Sequence, residues 1–360
     1  MELWFAHWEA VPDVSLDGEF ERYVGAIEGA EERRDFDFAS MRFLAAFRNG
    51  HTYFSDVWLR ETHGRSLGFD ARPIGHAWVI TASRRRELEV GGIISAIDGQ
   101  PMDAFFDDRR SLIGASSART AAELLFFRGY LFPPAFTLAL ADGRSIECAG
   151  RFDDAPISTP SLELLRHGSV ACLRLPSFGD AEFERVALKL IGSLPAGVGL
   201  VIDVRGNTGG DTPMLLIETL MDRPFRTWIE ATALHELGGS RGIGLQLTGP
   251  ETLPGHPTAF QGKLAILIDG RTMSAAEDFV APFKDNGRAV VVGEASGGSS
   301  GQPYRQRYEN GMSFAVGAKR QYLADGSAFE GVGITPDITI AVRPEDVALG
   351  IDRALAAAID

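Results

Sequence analysis

The second half of the chain alternates between short apolar runs typical of buried strands and segments with helical periodicity. In chain order these are VACLRLPSF, a helix over about 181–193, VGLVIDVRG, a helix over about 212–221, KLAILID, a helix over about 275–286, and AVVVGE. Alternation of this kind specifies parallel strands joined by crossover helices. We therefore predict an α/β domain whose active site lies at the carboxyl ends of its strands.

The first half of the chain has a different pattern. Residues 18–48 repeat apolar positions three and four apart, which predicts two short helices that end at the turn signal Asn49-Gly50. From Ser66 to about Gly150, short β-type runs surround one helical stretch near 121–128, which predicts a compact β module. The sequence thus predicts three parts: a pair of helices, a β module and an α/β domain.

Two dipeptides within the β module are turn signals. Asp98-Gly99 and Asp142-Gly143 each lie between apolar runs, where type I′ hairpin turns are expected. The chain has 360 residues, more than a single hydrophobic core usually serves, so several packed units are expected. We place the domain boundaries at 1–62, 63–152 and 153–360.

Composition excludes several classes of protein. Asp and Glu number 49 against 35 Lys and Arg, a formal charge of −14, and without a basic run the chain is not expected to bind nucleic acid. Cys148 and Cys172 are too few for a disulfide framework. No window approaches the run of about 18 apolar residues that a membrane span needs. The first residues resemble no secretory signal, so we expect a cytoplasmic protein, or a periplasmic or secreted one if a leader has been removed.

Ser274 lies where the strand KLAILID gives way to a helix. A serine at a helix start has two uses. Its hydroxyl can cap the helix by accepting a backbone N–H. Alternatively it is a nucleophile, because the positive end of the helix and its free N–H groups stabilise negative charge that develops nearby. Position alone leaves both readings open.

A glycine-rich turn follows the strand VGLVIDVRG. Gly206-Asn207-Thr208-Gly209-Gly210 breaks that strand before the next helix, and glycines there let backbone N–H groups point into one small volume. Such a volume suits an anion or an oxyanion. The turn lacks the Gly-Lys-Ser/Thr ending of a phosphate loop and the GxGxxG spacing of a dinucleotide site, which disfavours nucleotide binding. A purely structural turn is the alternative.

Four segments in order carry a family resemblance: VIDVRGNTGG, TMSAAE, GRAVVVGEASGGSSGQ and FEGVGITPDI. This order resembles the C-terminal processing, or tail-specific, peptidases and their tricorn-core and interphotoreceptor retinoid-binding relatives. The resemblance covers nearly the whole chain. It implies a ClpP/crotonase-like α/β catalytic domain, an N-terminal helical cap and an inserted PDZ-like β module. It also implies a serine peptidase without a cofactor.

The resemblance assigns the residues of an acyl-transfer site. The serine of the family's T-x-S-A-A-E-type motif falls on Ser274. The oxyanion hole is formed by the backbone N–H of the next residue, Ala275, and by one from the glycine turn, Gly209 or Gly210. These assignments agree with the expectation that a helix start and a glycine turn meet at neighbouring strand ends.

The base that activates the serine separates two branches of the family. One branch uses a lysine in GE-x-x-x-G-K-G, but here Ser299 stands in its place, so only Lys319 or Lys284 from elsewhere could serve. The branch that resembles the tricorn core takes a histidine from the helical cap and a glutamate before G-V-x-P-D. Those positions are His51 and Glu330. Histidine suits the work because its ordinary pKa, about 6.5, lets it accept and return a proton near neutral pH.

The sequence departs from the tricorn core at one position. That enzyme has a serine directly before its histidine, whereas this chain has Gly50. What orients His51 therefore stays open between Glu330, Thr52 and Ser299. None of the other histidines forms an i, i+4 pair or a Cys/His cluster, so no metal site is expected. They are His7, His63, His76, His167, His235 and His256.

The segment Arg65-Ser66-Leu67-Gly68-Phe69 resembles the carboxylate-binding loop of PDZ domains. Leu67, Gly68 and Phe69 are therefore the expected substrate-binding residues, with a peptide added as a strand and held by its C-terminal carboxylate. A structural lid without a peptide in its groove is the alternative. The long insertion over 107–134 could either cover that groove or form it.

Three functions are compatible with these patterns. The leading one is a serine endopeptidase for unfolded proteins or peptides, with a homo-oligomer as a further expectation. A non-catalytic small-molecule or peptide binding protein on the same fold is the second. An acyl-CoA enzyme of the crotonase type is the third, but this function assigns no role to the PDZ-like module.

Overall fold

The computed structural model describes residues 1–234 and 244–360. These residues form two compact units, each assembled from three stretches of chain. Unit 1 comprises Met1–Ala155, Pro303–Gly317 and Val342–Asp352, and unit 2 comprises Pro156–Gln302, Ala318–Ala341 and Arg353–Asp360. The domain boundaries given above stay predictions. Within the described residues, no helix has the length and apolar character needed to cross a membrane.

The α-helices are α1 Leu16–Glu28, α2 Arg33–Ala45, α3 Val57–His63, α4 Met102–Arg109, α5 Ala118–Leu124, α6 Ala181–Gly192, α7 Met214–Leu220, α8 Ala275–Asp285, α9 Pro344–Leu349 and α10 Arg353–Ile359. Short 3-10 helices lie at Trp8–Ala10, Arg110–Leu112, Leu125–Phe127, Gly129–Leu131 and Arg166–Gly168. The strands are β1 Tyr53–Asp56, β2 Phe69–Ile74, β3 Ala77–Ser83, β4 Ile93–Ile97, β5 Gln100–Pro101, β6 Ala135–Leu140, β7 Ser145–Ala149, β8 Ser161–Leu165, β9 Val170–Arg174, β10 Gly199–Asp203, β11 Phe225–Arg226, β12 Ile229–Leu234, β13 Gly244–Thr248, β14 Thr252–Leu253, β15 Leu264–Ile268, β16 Val290–Gly293, β17 Pro303–Arg307, β18 Met312–Gly317, β19 Lys319–Tyr322 and β20 Ile338–Thr339.

Unit 1 begins with the two helices that the apolar spacing predicts. The Ser15 hydroxyl accepts the N–H of Gly18 at 3.2 Å and so caps α1. A capping box between Glu32 and Asp35 starts α2. The chain then turns at residues 49–52 and enters β1, which pairs antiparallel with β18. The turn after α2 is therefore held at the end of a small sheet.

A second sheet of unit 1 has the strand order β2-β3-β4-β6-β7, with β5 paired to β4. At Asp98-Gly99 both residues have positive φ, 49° and 76°, as the predicted type I′ turn requires. The prediction for Asp142-Gly143 is wrong, because only Gly143 has a positive φ. The N–H of Gly143 bonds to the carbonyl of Leu140, which gives a longer loop with one left-handed glycine.

Unit 2 contains the predicted parallel sheet, in the order β20-β16-β15-β10-β9-β8. Pairs β9·β10, β10·β15, β15·β16 and β16·β20 are parallel, and β8·β9 is antiparallel. Alternate residues of β10 and β15 enter two different cores, one formed with α6, α7 and α8 and one with α10. Burial on both faces explains why these strands read as continuous apolar runs.

The loops that follow β10, β15 and β16 are hydrogen-bonded to one another. The N–H of Gly206 donates to Asp269 Oδ1 at 3.0 Å, and the N–H of Met273 donates to the carbonyl of Asn207 at 3.0 Å. The N–H of Gly297 donates to the carbonyl of Thr272 at 2.8 Å. The carboxyl ends of the parallel strands thus converge, as the alternation of strands and helices predicts.

Candidate active site

Ser274 lies between β15 and α8, at the N-cap position of α8. Its φ of 54° and ψ of −126° are a conformation that a residue with a side chain adopts only at a cost. The backbone is held on both sides. The Ser274 N–H lies 3.0 Å from the carbonyl of Ser299, and the Ser274 carbonyl accepts the N–H groups of Glu277 and Asp278 at 2.7 and 3.1 Å. The strain is therefore maintained by surrounding hydrogen bonds.

Gly209 packs directly against this serine. A Cβ atom at Gly209 would lie 2.8 Å from Ser274 Cβ, 2.9 Å from the carbonyl oxygen of Met273 and 3.0 Å from the nitrogen of Ala275. Its φ of 102° is also one that residues with a side chain rarely adopt. The glycine turn and the start of α8 are thus in contact, and only glycine fits between them.

The backbone N–H groups near Ser274 differ in their availability. The Gly209 N–H donates to Asn207 Oδ1 at 2.9 Å. Gly210 forms a parallel bridge with Phe178, in which the Gly209 carbonyl and the Asp211 N–H make the hydrogen bonds. Within the described residues, the N–H groups of Gly210 and Ala275 have no hydrogen-bond partner. Of the predicted oxyanion donors, Gly210 and Ala275 are therefore the two that remain available.

A buried carboxylate organises this corner of unit 2. Glu277 is fully buried, and its Oε1 accepts the Ser296 hydroxyl at 2.5 Å and the Gly298 N–H at 2.8 Å. Its Oε2 accepts the N–H groups of Ser299 at 2.9 Å and of Ser274 at 3.1 Å. Burial raises the pKa of Glu277 to about 7, and the hydrogen bonds oppose that rise. One side chain thus ties the serine to the loop that follows β16.

Ser299, which stands where one branch of the family has a lysine, contacts the Ser274 backbone through its own backbone carbonyl. The two lysines named above have other partners. The Lys284 ammonium lies 2.5 Å from Asp337, and the Lys319 ammonium lies 2.8 Å from Glu230. Both ammonium groups are thus engaged in ion pairs with carboxylates.

Glu330 joins the same group of loops. Its Oε2 accepts the N–H and the hydroxyl of Ser300, both at 2.7 Å. The N–H of the next residue, Gly331, donates to the carbonyl of Gly298 at 2.7 Å. Glu330 is therefore anchored to the residue next to Ser299. The structure of unit 2 brings together Ser274, Ala275, the glycine turn and the Glu330 loop.

His51 belongs to unit 1, in the turn between α2 and β1. Its N–H donates to Asn49 Oδ1 at 3.1 Å. The Thr52 hydroxyl donates to the same oxygen at 3.0 Å and accepts the Gly317 N–H at 3.0 Å. Thr52, one of the candidates for orienting His51, therefore acts on the backbone of the turn.

The loop Leu67-Gly68-Phe69 also lies in unit 1, before and at the start of β2. The side chains of Leu67 and Phe69 are buried in the core of that unit. The Gly68 N–H donates to Ser66 Oγ at 3.1 Å, and a Cβ at Gly68 would lie 2.4 Å from the Phe152 ring. The two apolar side chains thus contribute to the core, and contact with a ligand would fall to the backbone.

Sequence reasoning missed three residues that organise the site: Glu277, Asn207 and Asn49. Glu277 had a readable signal, because a serine followed three residues later by glutamate is a capping-box pattern. Asn207 and Asn49 lie in irregular loops, where no periodicity marks a role. Within the described residues, no group of three or more His, Cys, Asp or Glu could hold a metal ion. His235 lies outside the described residues.

A strained serine at a helix start, beside available backbone N–H groups of a glycine turn, is compatible with an acyl-transfer site. Comparison with known proteins agrees with this class. Residues 169–340, which contain Ser274 and the loops around it, match the family described as Peptidase family S41. The matched residues are slightly less than half of the chain.

Several known proteins are similar to the chain. The tricorn protease homolog 2 of Streptomyces coelicolor is 27% identical over 293 residues, which are 75% of this chain and 22% of that protein. The tricorn protease of Thermoplasma acidophilum is 28% identical over 199 residues, or 54% of this chain and 16% of that protein. The chain therefore spans about a fifth of the length of these relatives.

The fold is similar to that of solved peptidase structures. The crystal structure of mature CPAF matches with a TM-score of 0.75 at 15% identity, over 99% of this chain and 93% of that one. The photosystem II D1 C-terminal processing protease matches with a TM-score of 0.55 at 19% identity, over 94% of this chain and 92% of that one. The chain thus has the mixed α/β fold of S41 protease structures.

Proposed function

We propose that the chain is a serine endopeptidase that cleaves unfolded proteins or peptides through an acyl-enzyme at Ser274. One observation carries the proposal. Ser274 is held at a strained φ of 54° beside the N–H groups of Ala275 and Gly210, which have no partner within the described residues. An N-cap residue ordinarily lies in the β region, so capping alone does not account for this conformation, whereas strained residues are concentrated at active sites.

In the proposed mechanism, His51 removes the proton of the Ser274 hydroxyl as its oxygen attacks the peptide carbonyl. The oxyanion that forms accepts hydrogen bonds from the N–H groups of Ala275 and Gly210. The imidazolium then gives its proton to the departing amine, which leaves an ester on Ser274. Water, deprotonated by His51, attacks the ester, and the proton returns to the Ser274 oxygen as the new carboxyl end is released.

Glu330 is proposed to act behind the histidine. A carboxylate placed there stabilises the imidazolium that forms during the reaction and selects the ring orientation. Two hydrogen bonds from Ser300, the residue after Ser299, fix the carboxylate of Glu330 and support this role. The proposal follows the branch that uses histidine, which the sequence resembles, because Ser299 stands where the other branch has its lysine.

The first part of the chain is proposed to present substrate. In this account α1 and α2 form the helical cap that supplies His51, and the sheet of β2, β3, β4, β6 and β7 is the PDZ-like module. β2 ends the strand order of that sheet, so a substrate C-terminus could be added beside it. The backbone of Leu67, Gly68 and Phe69 would then receive the terminal carboxylate.

Cleavage of an unfolded protein tests the proposed function. We expect the purified chain to degrade unfolded casein, and we expect Ser274→Ala and His51→Ala to abolish cleavage while leaving the circular dichroism spectrum unchanged. Ser145→Ala and His76→Ala are matched controls, because both residues are exposed and lie in unit 1 away from the turn that carries His51. Cleavage that persists in Ser274→Ala would refute the proposal. Absence of cleavage by folded wild type would favour the binding-protein alternative.

A further inference from the structure

We propose that Asn49 and Ser116 are positioning residues for His51, because they fix the backbone of the turn that presents its imidazole. The inference rests on the proposed role of His51 as the base, and it concerns unit 1 alone. Gly50, directly before His51, has no side chain that could help to orient the ring. The hydrogen bonds that fix the backbone of the turn are therefore one means of setting the direction in which the His51 side chain leaves it.

Asn49 holds the turn from inside. Its Oδ1 accepts the N–H of His51 at 3.1 Å and the hydroxyl of Thr52 at 3.0 Å. The N–H of Thr52 donates to the carbonyl of Asn49 at 3.0 Å, which closes the turn. Asn49 and Thr52 are both 0% exposed, so water cannot readily replace these hydrogen bonds.

The inner side of the turn rests on strand β18. The N–H of Gly317 donates to Thr52 Oγ1 at 3.0 Å. A Cβ at Gly317 would lie only 2.4 Å from Asn49 Oδ1, so the asparagine side chain packs directly on that backbone. The pairing of Tyr53 with Ala315 continues the contact along β1 and β18. Asn49 therefore connects the turn to the backbone of β18.

Ser116 holds the turn from the other side. Its hydroxyl accepts the N–H of Gly50 at 3.0 Å. Two residues earlier, Gly114 lies so close that a Cβ there would be 2.7 Å from the carbonyl oxygen of Thr52. The N–H groups of Gly50, His51 and Thr52 are thus all engaged. This chain lacks the serine that directly precedes the histidine in the tricorn core. Ser116, from a distant part of the chain, supports the turn instead.

The segment that carries Ser116 is itself anchored. It continues into α5, whose first turn is capped by the Ser117 hydroxyl, which accepts the Thr120 N–H at 3.2 Å. On the same helix, the carboxylate of Glu123 pairs with the Arg72 guanidinium of β2 at 2.8 Å, and both side chains are largely buried. Within the insertion over 107–134, α5 therefore contacts β2, and the segment before α5 supports the histidine turn.

Steady-state kinetics of the full chain on a fluorogenic peptide or labelled casein test the proposal. We expect Ser116→Ala and Asn49→Ala to lower kcat about tenfold, roughly the effect of one lost hydrogen bond, and to leave KM nearly unchanged. Asn49→Asp keeps the Oδ1 acceptor and should recover much of that loss. Fluorophosphonate labelling should be slower but reach the wild-type end point, as expected for misplacement rather than unfolding.

The controls separate this inference from the proposed function. Ser145→Ala, which removes an exposed hydroxyl in β7, should behave as wild type. If His51→Ala keeps full activity, the proposed function fails. If His51→Ala is inactive while Ser116→Ala and Asn49→Ala both show wild-type kcat, the positioning role is refuted. If Asn49→Ala does not fold, Ser116→Ala, which removes a half-buried hydroxyl, tests the positioning role by itself.

Discussion

Replacing Gly209 by alanine would place a methyl group against the backbone that carries the proposed nucleophile. The new Cβ would lie 2.8 Å from Ser274 Cβ, 2.9 Å from the Met273 carbonyl oxygen and 3.0 Å from the Ala275 nitrogen. Two of these neighbours are backbone atoms, which cannot move aside as the end of a flexible side chain can. The substitution should therefore displace Ser274 and the Ala275 N–H together.

The expected effect has two parts. An alanine at a φ of 102° costs on the order of 1–2 kcal/mol of stability, because positive φ brings Cβ close to the backbone. Displacement of one oxyanion donor lowers acyl transfer by about 10²- to 10³-fold. We therefore expect Gly209→Ala to fold with reduced stability and to react with a fluorophosphonate at least about 100-fold more slowly than wild type.

Gly206→Ala is the matched control. Gly206 has a φ of 76° in the same turn, but a Cβ there would meet nothing within 4 Å. It should lose a similar amount of stability in urea unfolding and keep most of the labelling rate. Wild-type labelling by Gly209→Ala, or an equal loss of labelling in both variants, would refute the reasoning.

Three further predictions follow from other groups. Burial raises the pKa of Glu277 to about 7 from 4.5, so the folded state binds its proton more tightly and stability falls as pH rises between these values. Glu277→Gln should remove up to about 3 kcal/mol of this pH dependence in urea unfolding at pH 5 and pH 8; an unchanged slope would contradict the assignment. Burial raises the pKa of Asp37, and the charge of Asp56 raises it further. Stability should therefore likewise decline as the pH rises above about 4. Asp37→Asn should flatten that decline in the same assay. Lys284→Met should keep full peptidase activity, because the Lys284 ammonium is engaged by Asp337 and His51 is the proposed base; loss of cleavage with intact folding would make Lys284 a candidate base again.

The parallel sheet could be predicted from the sequence because its strands are buried on both faces and its helices are amphipathic. β10 and β15 read as unbroken apolar runs, and α6 and α8 occupy the stretches where their spacing is helical. The location of Ser274 between β15 and α8 could be predicted from the same alternation, whereas its assignment as the nucleophile came from the family resemblance. Local pattern and fold geometry thus determine this part of the site together.

Contacts between distant parts of the chain could not be predicted. The segment Pro303–Gly317 belongs to unit 1, and its strand β18 pairs with β1, a partner that nothing in its local sequence indicates. Ser116 reaches Gly50 from an irregular segment without periodicity. Gly209 and Gly210 were equivalent in the sequence, and the hydrogen bond from the Gly209 N–H to Asn207 distinguishes them as oxyanion donors. Such details depend on tertiary packing rather than on propensity.

The central claim is that Ser274 is the nucleophile, and the site of covalent modification tests it most directly. The chain would be treated with a fluorophosphonate, digested, and the modified residue identified by tandem mass spectrometry in wild type and in His51→Ala. The account predicts a single adduct on Ser274 in wild type and little or none in His51→Ala. An adduct on another residue, or no adduct on folded wild type, would contradict it.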